Sequence, residues 1–332
     1  MADSVFCIVA AIVGAGFASG REIMAFFSQY GAFSWILILF SSGVMMALTY
    51  GLTDQKNTVE KSDDSILFLA LWLLLYSAVS GSMTAAAGEL AALTIPMRHA
   101  RLFGMAVTLA FCLKMSGGDM GGLSWLGKLL APGMAALFIL CMRFEGAKSQ
   151  PVSISAGSFL QAAGYCGLNA VLAAAVTVQA GKNKTTQERR MIAICTGLVF
   201  GGLLALGNTA LLPHGLELRQ AALPMVMLLK GYGKIGFYFS AAALYLAAST
   251  TLIAALRGMK AMLPGEKTGI WAALIAAGGA LLGFQEIVSR VYPALGYLCL
   301  LSLILPKNLR SREQNKRLHR FVYKSVKGEE RR

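Results

Sequence analysis

Apolar runs of about 20 residues, each long enough for a helix to cross the hydrocarbon layer of a bilayer, follow one another along the chain with short polar stretches between them. They fall near residues 4–28, 32–52, 65–93, 100–117, 123–142, 153–180, 191–212, 234–263, 268–284 and 285–305. Backbone in lipid must satisfy its own hydrogen bonds, so a chain of such runs folds as a bundle of helices. The expected class is an all-α polytopic membrane protein of about ten transmembrane helices. Composition agrees, because 56% of the 332 residues are hydrophobic and only 14% charged, too few to clothe the surface of a soluble domain.

The first run contains an anomaly. Gly14 to Glu22 reads GAGFASGRE, three glycines and an adjacent Arg/Glu pair where an ordinary membrane helix keeps its backbone paired and its charges outside. Unpaired backbone and ionisable groups at membrane depth persist where they face protein or a watery cavity, which marks a binding site. The competing reading is a small-residue face for close helix packing. A nucleotide-binding loop is excluded by the spacing and by the lack of a preceding strand.

The sixth run, Ser153 to Ala180, carries a second anomaly, with Gln161, Gly164, Tyr165, Gly167 and Asn169 at its middle. Interrupted segments at matching places of two halves point to a transporter built from inverted repeats, with its site at the bilayer midplane. Five spans in each half make the repeats inverted. The expected organisation is residues 1–143 as the first repeat, 153–305 as the second and 306–332 as a basic tail, with helices 1 and 6 discontinuous. Packing alone would also explain Gly164 and Gly167. At a broken helix, freed N–H groups face an anion and freed carbonyls a cation, so one site can hold a carboxylate and a coupling ion together.

In the eighth run, Ser249, Thr250 and Thr251 offer the oxygen ligands that a hard cation such as sodium prefers. Hydroxyls in membrane helices also bond back to their own helix. On the third run, Tyr76 and Ser80 lie one turn apart near mid-membrane, where they line a substrate pocket or pack against neighbours. Arg21 and Glu286 are a candidate gate pair, with Glu22 the alternative partner of Arg21; such a pair balances attraction against desolvation. Glu22 and Glu89 are also candidate proton carriers, which would make a proton the coupling ion instead of sodium.

The six cysteines lie within or beside apolar runs, which predicts free thiols and no metal set. His99, His214 and His319 fall in loops or the tail, and no nucleophile/base constellation is present, so neither an enzyme nor a cofactor beyond the coupling ion is expected. The net charge of +14 sits in loops and a tail beside the spans, which suits anionic lipid better than nucleic acid. With the N-terminus inside, 21 Lys and Arg residues face the cytoplasm against seven outside, predicting both termini in the cytoplasm. The tail has ten basic and three acidic residues, with Leu318, Phe321, Val322 and Val326 at helical spacing for the inner leaflet. Glu217 to Tyr232, short and containing Pro224, reads as an external helix, not a span. The N-terminus lacks the basic segment of a signal peptide and is expected to stay as structure.

VGAGFASGREI followed by FFSQYGAF resembles the start of the YkvI-type bacterial membrane proteins, placed with the amino acid/polyamine/organocation superfamily and its LeuT-like five-plus-five fold. A more distant likeness to the neurotransmitter:sodium symporters rests on Val13, Gly14, Gly16, Arg21 and Gly31, on Lys128 and Pro132, and on Ala247, Thr250 and Thr251. The resemblance implies a cation site formed by the carbonyls of Ala10, Val13 and Ala247 with the hydroxyls of Thr250 and Thr251. It also implies N–H groups of Ala15 and Gly16 for a substrate carboxylate. The candidate substrate pocket read from the two interruptions and the third run takes in Gly14, Phe17, Ser19, Tyr76, Ser80, Gln161, Gly164, Tyr165 and Asn169 as well. One residue more than in those symporters separates the second glycine from Arg21. The expected function is ion-coupled transport of a small zwitterionic solute, an amino acid or related amine, across the bacterial cytoplasmic membrane. A nutrient receptor on the same scaffold and a channel are the competing classes.

Overall fold

The computed structural model describes residues 2–54, 66–117, 121–141, 155–214, 218, 221–231, 233–262 and 268–304. Among them all regular structure is helical. The chain opens with three short pieces, α1 (Ala2–Ile12), α2 (Ala15–Ala18) and α3 (Arg21–Phe26), and a 3-10 turn leads into α4 (Ser34–Thr53). There follow α5 (Ile66–Thr94), α6 (Ala100–Met115), α7 (Gly121–Cys141), α8 (Ala156–Leu172), α9 (Ala174–Gly181) and α10 (Thr186–Leu211). The last part holds α11 (Pro224–Lys230), α12 (Gly233–Met262), α13 (Thr268–Ala280), α14 (Phe284–Glu286), a π turn over Ile287–Val291, and α15 (Tyr292–Ile304).

Among the described residues, five helical segments are long and apolar enough to cross a membrane: Ser28–Thr53, Ala70–Thr94, Thr186–His214, Gly233–Lys260 and Phe284–Ile304. Of the other expected spans, α6 and α13 are shorter, α7 runs for 21 residues with Pro132 inside it, and two are divided. Run one is cut at Val13–Gly14, and run six is cut at Ala173. That second interruption corrects the expected position, since α8 passes unbroken through Gly164 and Gly167. Those two glycines serve close approach to α15. A Cβ at Gly167 would lie 2.8 Å from the Cα of Leu300, and one at Gly164 3.1 Å from the ring of Tyr297. Here packing won over the break that the same residues suggested.

Local chemistry sets several boundaries. Thr185 and Glu188 form a reciprocal capping box that starts α10, and Lys184 pairs with Glu188 at 2.9 Å. Pro224 occupies the first turn of α11, where its missing N–H costs nothing. Pro293 has no N–H to donate to the carbonyl four residues back, and its ring crowds that carbonyl, which accounts for the π turn just before it. The helix pairs α4–α10, α5–α12 and α8–α15 form the main contacts of the bundle. Arg189 joins Asp54 at 2.8 Å where α4 ends and α10 begins. Apolar faces point outward along much of the surface, including Leu39, Leu198, Leu274 and Leu281, as lipid-facing helices require.

The tail 306–332 and the side chain of Lys128 lie outside the described residues.

Candidate functional site

The break in the first run is the centre of the bundle. Residues 12–24 are all buried, including Arg21 and Glu22. α1 ends because the Gly14 N–H turns back to the carbonyl of Ile12 at 2.9 Å instead of continuing the ladder to Ala10. Gly14 is extended, and α2 resumes with Ala18 N–H on Gly14 O. A helix that stops inside the core leaves its last carbonyls without helical partners. Gly20, in the left-handed region at φ 76°, then turns the chain into α3; a Cβ there would also meet Leu211 at 2.7 Å and Met225 at 2.9 Å.

Across from the break stands α12. A Cβ on Gly14 would lie 3.2 Å from Oγ1 of Thr251, so this hydroxyl looks at the interruption. Ala247 is fully buried beside it, and Ala10 and Val13 flank the break on α1. Thr250 behaves differently, since its hydroxyl donates at 3.0 Å to the carbonyls of Leu246 and Ala247 on its own helix. Ser249 Oγ is buried without a hydrogen-bond partner among the described residues.

The charged pair divides. Glu22 turns inward and its Oε2 accepts a hydrogen bond at 2.8 Å from Tyr165 of α8. Its Oε1 lies where a Gly16 side chain would be, 1.9 Å from an ideal Cβ, so Gly16 is the only residue type that leaves room. Arg21 runs the other way and donates to Ser289 Oγ at 2.8 Å in the π turn and to the Ala221 carbonyl at 3.4 Å just before α11. Glu286 is ion-paired at 3.0 Å with Arg290 on an exposed edge, and Glu89 at 2.8 Å with Arg101. The Met225 N–H donates to Ser19 O at 2.8 Å, seating α11 on the turn between α2 and α3.

The remaining candidate residues are spread around this centre. Ser19 Oγ donates to Gly16 O and receives Arg21 N–H, closing the turn locally. Phe17 meets the rings of Phe138 at 5.9 Å and Phe200 at 6.4 Å. Tyr165 is flanked by Phe26 at 4.7 Å, Phe27 at 5.5 Å and Phe200 at 6.1 Å. Asn169 donates to Tyr165 O at 2.9 Å, and Gln161 accepts from Tyr30. Tyr76 lies over Gly258, where a Cβ would come within 2.7 Å of its ring, and Ser80 donates to Ser77 O one turn back. The structure therefore gathers Gly14, Ala15, Gly16, Phe17, Glu22, Tyr165 and Thr251 about one break. Tyr76 and Ser80 have packing and local bonds of their own.

Sequence reasoning missed Ser289, Phe26, Phe27 and Phe200. Pro293 was the one local signal for the π turn that presents Ser289. The phenylalanines carried none, because one aromatic in an apolar run looks like another until the helices are assembled.

An all-helical bundle, five segments long enough to cross a membrane and a helix interrupted in the buried centre define the class: a multi-pass membrane protein. No family model matches the chain. It is similar to "Uncharacterized membrane protein YkvI" of Bacillus subtilis (strain 168), 25% identical over 330 residues that cover 89% of this chain and 92% of that protein. It is also similar to "Uncharacterized protein YyaD" of the same organism, 24% identical over 325 residues that cover 90% of this chain and 93% of that one. Both similarities run through nearly the full length, so they concern the whole bundle and not one motif.

Proposed function

We propose that this protein is an ion-coupled secondary transporter of a small zwitterionic solute or related amine, working by alternating access in the bacterial cytoplasmic membrane with both termini inside. The observation that carries the reading is the buried stop and restart of the first helix at Val13–Gly14, with the hydroxyl of Thr251 facing it. Interrupted backbone at membrane depth persists where it faces protein or a watery cavity, and transporters place their ligands at such interruptions. The pairs α4–α10 and α5–α12 give support, since each joins a helix of the first half to the one in the same place of the second, as two inverted five-helix repeats would.

In this reading the carbonyls of Ala10, Val13 and Ala247 and the hydroxyls of Thr250 and Thr251 hold sodium as the coupling ion; the alternative is a proton on a buried carboxyl in place of sodium. Cation binding would turn Thr250 away from its own helix. Arg21, held by Ser289 and Ala221, forms the gate on the side of α11, and the basic tail lies on anionic lipid.

Counterflow in proteoliposomes tests the reading. Labelled amino acid or amine exchanging against unlabelled solute is expected. Saturable binding without exchange would assign the chain to a receptor instead.

A further inference from the structure

The short helix α6 ends among positive charges. Its 16 residues make about 24 Å of helix against about 30 Å of hydrocarbon, so α6 does not reach both surfaces of the layer. Two side chains of α12 close its last turn. Lys260 donates to Leu113 O at 3.1 Å and Ser116 Oγ at 2.6 Å, and Arg257 donates to Ser116 O at 3.1 Å and Met115 O at 3.4 Å. The carbonyls of Cys112 and Lys114 accept from the N–H groups of Ser116 and Gly117. Every carbonyl from Cys112 to Ser116 thus has a donor, and the helix end needs nothing more.

The two lysines there have donors to spare. An ammonium has three N–H groups, of which Lys260 uses two, and the exposed ammonium of Lys114 bonds to nothing among the described residues. α6, α12 and α13 contain no Asp or Glu, and one helix end carries only about half a negative charge against them. Leading away from this end along α6, Phe103, Val107, Phe111 and Met115 are exposed at a spacing of four residues, which makes one apolar stripe. Gly269, at the start of α13, lies against Lys260, since a Cβ there would stand 3.5 Å from its Cε. Two residues on, Trp271 is exposed, a side chain that settles where headgroups meet hydrocarbon. Spare cationic donors at the end of an apolar stripe complement a molecule that is anionic at one end and apolar along its length.

We propose that Lys114 and the spare N–H of Lys260 hold the phosphate headgroup of an anionic phospholipid whose acyl chain lies along Phe103, Val107, Phe111 and Met115. Because α6 is shorter than the layer, the bilayer thins against it and brings the headgroup inward to the lysines. The bound lipid fills the level that α6 does not reach. Residues of the bundle form this site, not the basic tail, and it stands independently of transport.

The test uses the full chain purified in a neutral detergent, so that the tail is present throughout. Native mass spectrometry measures the affinity of the first bound lipid for dioleoyl phosphatidylglycerol and dioleoyl phosphatidylcholine, with inorganic phosphate added as a competitor. Wild type, Lys114→Gln, Lys114→Arg and Lys182→Gln are compared, the last removing an exposed lysine from the turn before α10. The wild type is expected to prefer phosphatidylglycerol and to keep it in the presence of phosphate. Lys114→Gln loses about fivefold in that affinity, the contribution of one cation near an anionic lipid, while Lys114→Arg and Lys182→Gln bind as the wild type does. Without added lipid, Lys114→Gln melts at the wild-type temperature, and a lower one would reveal a structural bond and overturn the proposal. Unchanged affinity in Lys114→Gln overturns it, and so does an equal loss in Lys182→Gln, which would mean diffuse surface charge. Phosphatidylcholine bound as tightly as phosphatidylglycerol removes the anionic lipid. Displacement of the lipid by phosphate at equal concentration would make this a site for a free anion instead.

Discussion

Gly16→Ala is the sharpest perturbation of this centre. Its Cβ would stand 1.9 Å from Glu22 Oε1, 2.5 Å from Cδ and 2.8 Å from Cγ, so no small adjustment of the carboxyl end relieves the overlap. Ordinary contact needs about 3.5 Å, and the Glu22 side chain must rotate off the glycine. Rotation gives up the 2.8 Å bond from Tyr165. A hydrogen bond to a charged group contributes about 1.5–3 kcal/mol, and crowding in a packed interior costs about 1–3 kcal/mol. The expected destabilisation is therefore about 2.5–6 kcal/mol, read as unfolding free energy of the purified chain in a reversible detergent titration. A double-mutant cycle separates the two contributions. If Gly16→Ala acts by pulling the carboxyl away from Tyr165, adding Tyr165→Phe costs little more, and the coupling equals the bond, about 1.5–3 kcal/mol. Additivity within about 0.5 kcal/mol would refute the argument that the alanine works through Glu22. Wild-type stability of Gly16→Ala would refute the placement of the carboxyl itself.

Two further perturbations probe the helices around the centre. Gly167→Ala puts a Cβ 2.8 Å from the backbone of Leu300, which cannot rotate aside, so α8 and α15 must part at about 1–3 kcal/mol, visible as a lower melting temperature; an unchanged melting temperature would mean that the two helices do not meet there. Thr250→Ala combined with Thr251→Ala is expected to weaken sodium dependence of uptake or binding by about tenfold or more, equivalent to 1.4 kcal/mol, and unchanged ion dependence would remove the cation site.

Much of the architecture could be read from local pattern. Apolar runs separated by polar loops specify a helical membrane protein because lipid permits few other folds. Gly14 to Glu22 declared itself for the same reason, since glycines beside charges cannot continue an ordinary apolar helix. Pro224 announced a short helix through its fixed φ and missing N–H, and α11 starts at that residue.

Other assignments waited on the tertiary structure. Gly164 and Gly167 have the composition of a break and the role of contact points, and only the presence of Tyr297 and Leu300 against them decides which. Thr250 and Thr251 are adjacent in sequence, yet one bonds its own helix and the other faces Gly14, a difference set by the rotation of α12 about its axis. Glu22 meets Tyr165 across 143 residues, and Arg21 meets Ser289 across 268. Sequence marked the stretch Gly14 to Glu22 as a break or a close-packed face with a charge pair inside an apolar run, because that much follows from residue type within a few turns. Which way each charge points depends on helices brought in from elsewhere in the chain, and that is a property of packing.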